Sequence, residues 1–537
     1  MIANLRAISR ATTEPSPDAA GAPGPRERRR VPWARLIPAA LALAWLAVLL
    51  AHLRTPVPSD QANYFTAAER FPHPVEATTE MHQMTRFGLI VPVRLAMAVL
   101  GPSQAAYAIV PVLATLALLL GTYALGTLLF ARSVGAAGGI AVVAATPVFE
   151  DSTDLLPDVL AVGLFTCALA LAVAARRRED PPTKAVLLGI GALLAWSYLA
   201  REFIVFAWPV VPVLLYRRAG LAGLLWTAAP IAAAGLAELL LCWRMYGDPL
   251  ARLLSITGHG QGPSTPEIAS TYRDKPRMLY VLRLPKTLQT YGEGALLLAL
   301  LGLTLLGGLL RPRRLAVLVA VCALLWVPLT LLGGVLDPAA PKLRLQLIRY
   351  WYPVFPAFVL GGLGTLWLLA VPLARRLPDR GRVRAVLPAA LALAVAATLA
   401  GAAARTWWAA PATRLGGGTQ LDALRGWMHD RDGAHDRIWT DPHTRKILPI
   451  YRRGFWGGAS WSAGIHAVRP GQAAGPGPGD LVLLYDTERG HICSLCKRSA
   501  RTAFGDTSGA RPGWRQVFAT PDRVVRVYEV GPAGAAA

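Results

Sequence analysis

This sequence is short of charge. Of its 537 residues only 16% are Asp, Glu, Lys or Arg, and 54% are hydrophobic, whereas about 25% of an ordinary globular chain is charged. Mean hydropathy is +0.41. A soluble protein of that make-up could not cover its own surface. The composition therefore excludes the three or four soluble domains that the length would otherwise allow at roughly 150 residues each. Acidic residues are scarcer still, 32 against 55 basic, for a net charge of +23. In a soluble chain that excess would point to nucleic acid. Here the arginines fall in short clusters between apolar blocks, so nucleic acid is not an expected partner. There are five cysteines, too few for a disulfide framework. Cys167, Cys242 and Cys322 lie inside apolar runs and read as small core residues. Walker, GxSxG and HExxH patterns are missing, which argues against an ATPase, an α/β-hydrolase or a zincin.

What is present in quantity is apolar sequence. Residues 1–30 are rich in Pro, Ala, Gly and Arg and end in RERRR, a disordered cytoplasmic terminus by composition. The block Val31–Leu53 is too long for a signal-peptide core and lacks a small-x-small cleavage site, so it reads as an uncleaved first helix. Further blocks able to cross about 30 Å of hydrocarbon fall near 105–130, 136–150, 155–175, 183–200, 203–216, 221–243, 290–310, 314–335, 350–373 and 385–403. With RERRR inside, alternation puts Arg132, Arg176–Arg178, Arg217–Arg218, the RPRR at 311–314 and the basic run at 374–384 inside as well, as the positive-inside rule requires. Phe87–Leu100 would break that parity if it crossed, so it reads as an interfacial or re-entrant helix. After Arg405 polar residues return. RIWTD (437–441), DLVLLYD (480–486) and RVVRVYEV (523–530) read as strands, and 421–430 and 443–452 as helices. The expectation is an α-helical polytopic membrane protein of about eleven transmembrane helices with a small C-terminal extracytoplasmic α/β domain. Its divisions are 1–30, 31–404 and 405–537.

The same parity places most of the chemistry on the outer side. Asp60 opens a short helix containing Tyr64, Ala68 and Phe71, and a carboxylate there is either a proton acceptor or, with Ser59, a helix cap. The second outer turn holds Glu150, Asp151, Asp154 and Asp158. Glu150 reads as a solvated loop residue, and Asp154 and Asp158, four residues apart, share one face of the following helix. Asp151 and Asp154 could orient an acceptor or hold a divalent cation, but two oxygen ligands do not define a metal site. The loop 244–289 carries Arg252, His259, Arg273, Lys275, Arg277, Arg283 and Lys286. The loop 336–349 carries Lys342, Arg344 and Arg349, then YWYPVFP. Outward basic residues oppose the orientation rule, and a lipid phosphate would account for them. The CxxC in HICSLC (491–496) lacks further zinc ligands and reads as a disulfide between Cys493 and Cys496. Glu238 is the main ionisable residue inside a span, which keeps a transporter or flippase open; a noncatalytic envelope assembly protein is the other rival.

SDQANYFTAAERF, RFGLIVPVRLAMAVLG, TPVFEDSTDLLPD and LIRYWYPVFPAFVLGG, in that order and on one side, resemble the GT-C superfamily. The nearest likeness is to the bacterial branch related to protein O-mannosyltransferases and lipid A aminoarabinose transferases. The resemblance covers roughly residues 30–405. It implies a glycosyltransferase of the bacterial cytoplasmic membrane, using a polyprenyl-phosphate-linked sugar donor and a glycan, protein or lipid acceptor. It also implies Asp60 as the base or acceptor-orienting carboxylate, Asp151 or Asp154 as the second acidic position, and Arg349 and Tyr350 near the lipid phosphate; from the residues themselves, Arg344 and Lys275 of the outer basic loops would join them. Asp60 is followed by Gln61 where many relatives have a second acid, which weakens any expectation of a metal.

Overall fold

The computed structural model describes residues 33–74, 81–257, 269–375, 381–409, 419–431, 437–458, 461–469, 475–486, 493, 495–506 and 511–532. The run RERRR, His259, His435 and His491 lie outside the described residues.

The first half of the bundle comprises α1 (Trp33–Ala51), α2 (Asp60–Arg70), α3 (Met81–Met84), α4 (Phe87–Leu100), α5 (Gln104–Leu129), α6 (Arg132–Ala144), α7 (Thr146–Glu150), α8 (Pro157–Arg177), α9 (Lys184–Ala200) and α10 (Val210–Tyr246). There follow α11 (Ala251–Thr257), α12 (Arg277–Val281), α13 (Arg283–Leu288), α14 (Gly294–Leu310), α15 (Pro312–Thr330), α16 (Phe355–Arg375) and α17 (Gly381–Ala409). Among the described residues six helices are long and apolar enough to cross a membrane, beginning with Gln104–Leu129 and ending with Val386–Ala409. Shorter apolar helices occupy Leu36–Ala51, Phe87–Leu100, Arg132–Ala144, Lys184–Ala200 and Gly294–Leu310.

Two apolar blocks differ from the simple helices expected. Pro147 cannot continue the hydrogen-bond ladder of α6, so 136–150 divides into α6 and the single turn α7. The block 203–216 begins as a 3-10 turn, Glu202–Ala207, and continues into α10. Gly220, with φ 59, breaks α10 into two segments, a backbone conformation that glycine alone adopts without a Cβ penalty.

Helix α8 is the most enclosed of the long helices, packed between α5 and α9, whereas α10 and α17 leave most of their apolar side chains exposed. Large exposed leucines there suit lipid as the solvent. Close helix contact depends on small residues. A Cβ added at Gly88 of α4 would sit 2.3 Å from the backbone nitrogen of Ala200 at the end of α9. Trp196 donates to the Gly88 carbonyl at 2.8 Å across the same crossing.

The C-terminal domain is a five-stranded sheet of β1 (Arg437–Thr440), β2 (Gly464–Ala467), β3 (Leu481–Tyr485), β4 (Trp514–Ala519) and β5 (Val525–Val530) in the order β2-β1-β3-β5-β4. The β1 strand runs parallel to β2 and β3, while β5 is antiparallel to β3 and β4. Helices α18 (Thr419–His429), α19 (Pro442–Tyr451) and α20 (Cys496–Phe504) complete it. The Asp441 side chain caps α19 by accepting from His443 N and Thr444 N. Cys493 and Cys496 are joined by a disulfide. The domain rests on the bundle, with α19 against α2 and the Phe455 carbonyl accepting from Ala105 N at 2.8 Å.

Candidate active site

The segment after α1, the turn before α8, the α9–α10 junction and the mouth of α16 meet at one end of the bundle. Asp60 is the first residue of α2, behind Ser59, whose side chain makes no cap bond. The cap reading of this pair is therefore replaced by a longer-range role. Arg349 donates to Asp60 Oδ2 at 2.6 Å across 289 residues of sequence. Gln83 donates to Asp60 Oδ1 at 2.8 Å and accepts from Asn63 at 2.6 Å, which fixes the carboxylate plane. Burial raises the Asp60 pKa, but the Arg349 guanidinium and its hydrogen bond, with Arg86 and His82 beyond, outweigh burial and hold it at about 2.

Gln61, next in sequence, connects Asp60 to the second acidic turn. Its amide donates to Asp154 Oδ2 at 3.4 Å, and Arg54 approaches the same oxygen at 3.3 Å. Arg54 also donates to the Glu150 carbonyl at 2.5 Å, and its backbone N–H to Thr153 at 3.1 Å. Asp154 is buried. Desolvation pushes its pKa up to about 7 against the opposing pull of Arg54, with Asp151 adding to the rise. Asp151 is raised by burial too, while Tyr352, which donates to its Oδ2 at 2.7 Å, opposes the rise. The Tyr352 hydroxyl also contacts the Pro147 carbonyl. One hydroxyl proton cannot fully serve both acceptors.

The turn differs from the sequence reading in two respects. Helix α8 begins at Pro157, so Asp154 precedes it and shares no helical face with Asp158. Asp158 is turned inward, 3.0 Å from Arg201 Nε, and both are buried. Glu150 is half-buried rather than a solvated loop residue.

Tyr350 lies behind this front. Its ring is buried, packed on Phe203 at 5.7 Å and under the Arg201 guanidinium at 4.7 Å. Beside it Glu202 gathers Arg86 at 3.9 Å and Arg252 at 4.0 Å. Burial raises Glu202, but Arg86, Arg201 and Arg252 together bring its pKa down to about 2. Arg252, expected in a phosphate-facing loop, is instead buried against Glu238 at 3.1 Å. That pairing compensates Glu238, the in-span acid that kept a transporter open.

Arg344 and Lys275 belong to a platform formed by the loops around 270–283 and 336–346. Asp274 N donates to the Pro338 carbonyl at 2.8 Å, Arg344 lies over the Tyr272 ring at 5.3 Å, and Lys275 N donates to Tyr280 at 3.2 Å. Among the described residues no three His, Cys, Asp or Glu side chains converge as a metal-ligand set.

Arg54, Gln83, Arg86 and Arg201 escaped the sequence reading as site residues. Arg201 had a signal: a lone guanidinium between two apolar blocks has to find a carboxylate. Three atoms facing this network, Arg349 Nε, Asp154 Oδ1 and Gln61 Oε1, are buried without a hydrogen-bond partner. Buried polar groups are ordinarily satisfied, so these three atoms mark the unsatisfied positions of the network.

No protein-family model matches the chain, and no curated protein matches it in sequence. Solved structures do. Apo ArnT from Cupriavidus metallidurans matches over 92% of this chain and 97% of its own, at 13% identity and a TM-score of 0.55. The same protein bound to undecaprenyl phosphate matches at 14% identity with the same coverage and TM-score. The archaeal oligosaccharyltransferase AglB from Archaeoglobus fulgidus, in complex with an inhibitory peptide and a dolichol-phosphate, covers 93% of this chain and 74% of its own at 13% identity, with a TM-score of 0.46. The likeness to ArnT is one of fold: the chain is a mostly helical protein with several membrane-length apolar helices and a small C-terminal sheet domain.

Proposed function

We propose that the protein is a glycosyltransferase that moves a sugar from a polyprenyl-phosphate donor to an acceptor hydroxyl at the outer face of the cytoplasmic membrane, in envelope glycan or glycoprotein assembly. The observation that carries this reading is the Arg349–Asp60–Gln61–Asp154–Arg54 chain, which sets a guanidinium for a phosphate beside carboxylates for a hydroxyl. The ArnT fold, in a protein solved with undecaprenyl phosphate, supports it.

The acceptor oxygen attacks the anomeric carbon, the bond from that carbon to the phosphate oxygen breaks, and its electron pair leaves with the lipid phosphate. A leaving phosphate needs cations more than an acid. Arg349 supplies them in forked geometry, with Arg344 and Lys275 from the outer loops, while Tyr350 packs under Arg201 behind the site. The hydroxyl proton goes to a carboxylate. While Arg349 holds Asp60 at a pKa of about 2, that carboxylate is a poor base, because general bases work best near the ambient pH. Donor binding draws Arg349 toward the phosphate and raises the proton affinity of Asp60 as the acceptor arrives, with Gln83 keeping it in place. Asp151 and Asp154 orient the acceptor. A single displacement inverts the anomeric centre.

The test is sugar transfer from a defined polyprenyl-phosphate donor by purified protein, with folding followed separately. Asp60→Asn is expected to lose at least roughly 10²-fold in rate, the low end for general base catalysis. Arg349→Ala is expected to raise the KM for donor, and Arg349→Lys to restore only part, since an ammonium presents no paired fork. Full transfer by Asp60→Asn would remove Asp60 as the base.

A further inference from the structure

The tip that attaches the C-terminal domain to the bundle ends in an exposed aromatic ring. We propose that Trp456 is seated in lipid at the bilayer boundary, so that the sheet domain is bound to the membrane surface as well as to the helices. The inference rests on the span assignment and is independent of the transferase reading.

The height of the tip is fixed by its hydrogen bonds. Helix α5 has 26 apolar-rich residues, a length of about 39 Å at 1.5 Å per residue, more than the ~30 Å hydrocarbon core. Its first turn therefore emerges at the boundary. Ala105 N–H, one of the donors a helix start leaves without an intrahelical partner, donates to the Phe455 carbonyl at 2.8 Å. On the other side of the tip, a Cβ at Gly457 would lie 3.6 Å from the Leu100 carbonyl, and one at Gly101 would lie 3.2 Å from the Arg453 guanidinium. The tip 453–457 is thus wedged between the end of α4 and the start of α5, with no room to rise toward bulk water.

The chemistry of the exposed surface suits that height. Trp456 is 75% exposed and meets Phe455 edge to face at 4.9 Å. Gly457 and Gly458, with φ 97 and 83, make the turn that presents the ring, a backbone path a side chain would strain. Leu95 and Val99, one helical turn apart on α4, are 63% and 84% exposed and form an apolar stripe adjoining the tip. Arg453 and Arg94 add two cations, matching the phosphates of an anionic leaflet. An indole beside cations at the mouth of a span is the pattern of an interfacial belt: apolar body toward the chains, N–H toward the headgroups.

The test uses the full-length protein in vesicles of phosphatidylethanolamine and phosphatidylglycerol, with Cys167, Cys242 and Cys322 replaced by alanine. A fluorophore is attached at Trp456→Cys, and at Gln516→Cys on the exposed strand β4 as reference. Lipid carrying a nitroxide near the headgroup is expected to quench position 456 several-fold more than 516, and aqueous cobalt to do the reverse. Equal quenching by cobalt at both positions would overturn the proposal. So would shielding of 456 from both quenchers, which would mean that protein, a second copy included, covers the ring. Should Trp456→Cys fail to fold, wild type and Trp456→Phe can be compared in brominated lipid: the wild type is expected to lose more of its tryptophan emission, and equal loss overturns the proposal.

Discussion

Asp60 and Asp154, joined through Gln61, carry opposite electrostatics for one reason: the cation that each one reaches. Asp60 shares its proximal oxygen with a guanidinium at 2.6 Å, and Asp154 meets Arg54 only at 3.3 Å while buried beside other acids. The consequences for pH run in opposite directions. Asp60, held near 2, stabilises the fold above its unfolded value of about 4 and loses that contribution as pH falls toward 2. Asp154, raised to about 7, favours the fold most below about 4, and that contribution is lost as pH rises through 7. Transfer activity is therefore expected to change with an apparent pKa near 7 that belongs to the coupled Asp151–Asp154 pair. Asp154→Asn should remove that limb from the rate profile, and should flatten the decline of thermal stability between about pH 4 and 7. An unchanged profile in Asp154→Asn would dissociate this acid from the rate. Asp60 and Arg349 stood out in the sequence because each is charged beside an apolar block on the same inferred side. Arg54 and Gln83 did not, because a polar residue that will pair with partners 100 positions away, as Arg54 does with Asp154, or in another helix, as Gln83 does with Asp60 and Asn63, looks like a solvated one.

At the scale of elements, the site depends on how closely helices approach. Gly88 lets α4 lie on the backbone of Ala200, and the next residue is Arg201, whose guanidinium pairs with Asp158 and covers Tyr350. Gly88→Ala is expected to separate the two helices, to cost about 1–3 kcal/mol as overpacking does, and to reduce transfer by displacing Arg201. Gly189, on the same helix α9 with nothing within 4 Å of an added Cβ, should accept alanine with little loss. Melting temperatures and rates of the two variants would check this, and equal behaviour would remove the crossing as a determinant. Elements were legible in the sequence where one periodicity or one composition dominated. The apolar blocks fall on helices, and RIWTD, DLVLLYD and RVVRVYEV contain β1, β3 and β5. The four-residue edge strand β2, with three half-buried residues and an exposed His466, gave no alternation to read. The break in the 37-residue α10 at Gly220 is legible, because Arg217 and Arg218 separate the apolar blocks 203–216 and 221–243 on either side of it; what the blocks do not show is that helix continues between them.

For the whole molecule, the question is which way the bundle sits in the bilayer. Asp60, Asp154, Arg349 and the C-terminal domain belong to one end of the bundle, since α2 carries Asp60 and packs on α19. Their common side is a property of the fold; its assignment to the outside rests on the arginine clusters. Arg311 stands at the N-cap of α15 and Arg313 and Arg314 lie in its first turn, and Arg176 and Arg177 end α8, positions that strongly favour the cytoplasmic leaflet. A lipid-linked donor consumed outside would then meet the site from the leaflet into which it has been flipped. With single cysteines in a background lacking Cys167, Cys242 and Cys322, an impermeant thiol reagent added to intact cells is expected to label Thr257→Cys and Thr502→Cys. It should not label Arg177→Cys or Arg313→Cys until the membrane is permeabilised. Labelling at 313 in intact cells with none at 502 would invert the molecule. Asp60 and Arg349 would then face the cytoplasm, where the same chemistry would need its donor in the inner leaflet.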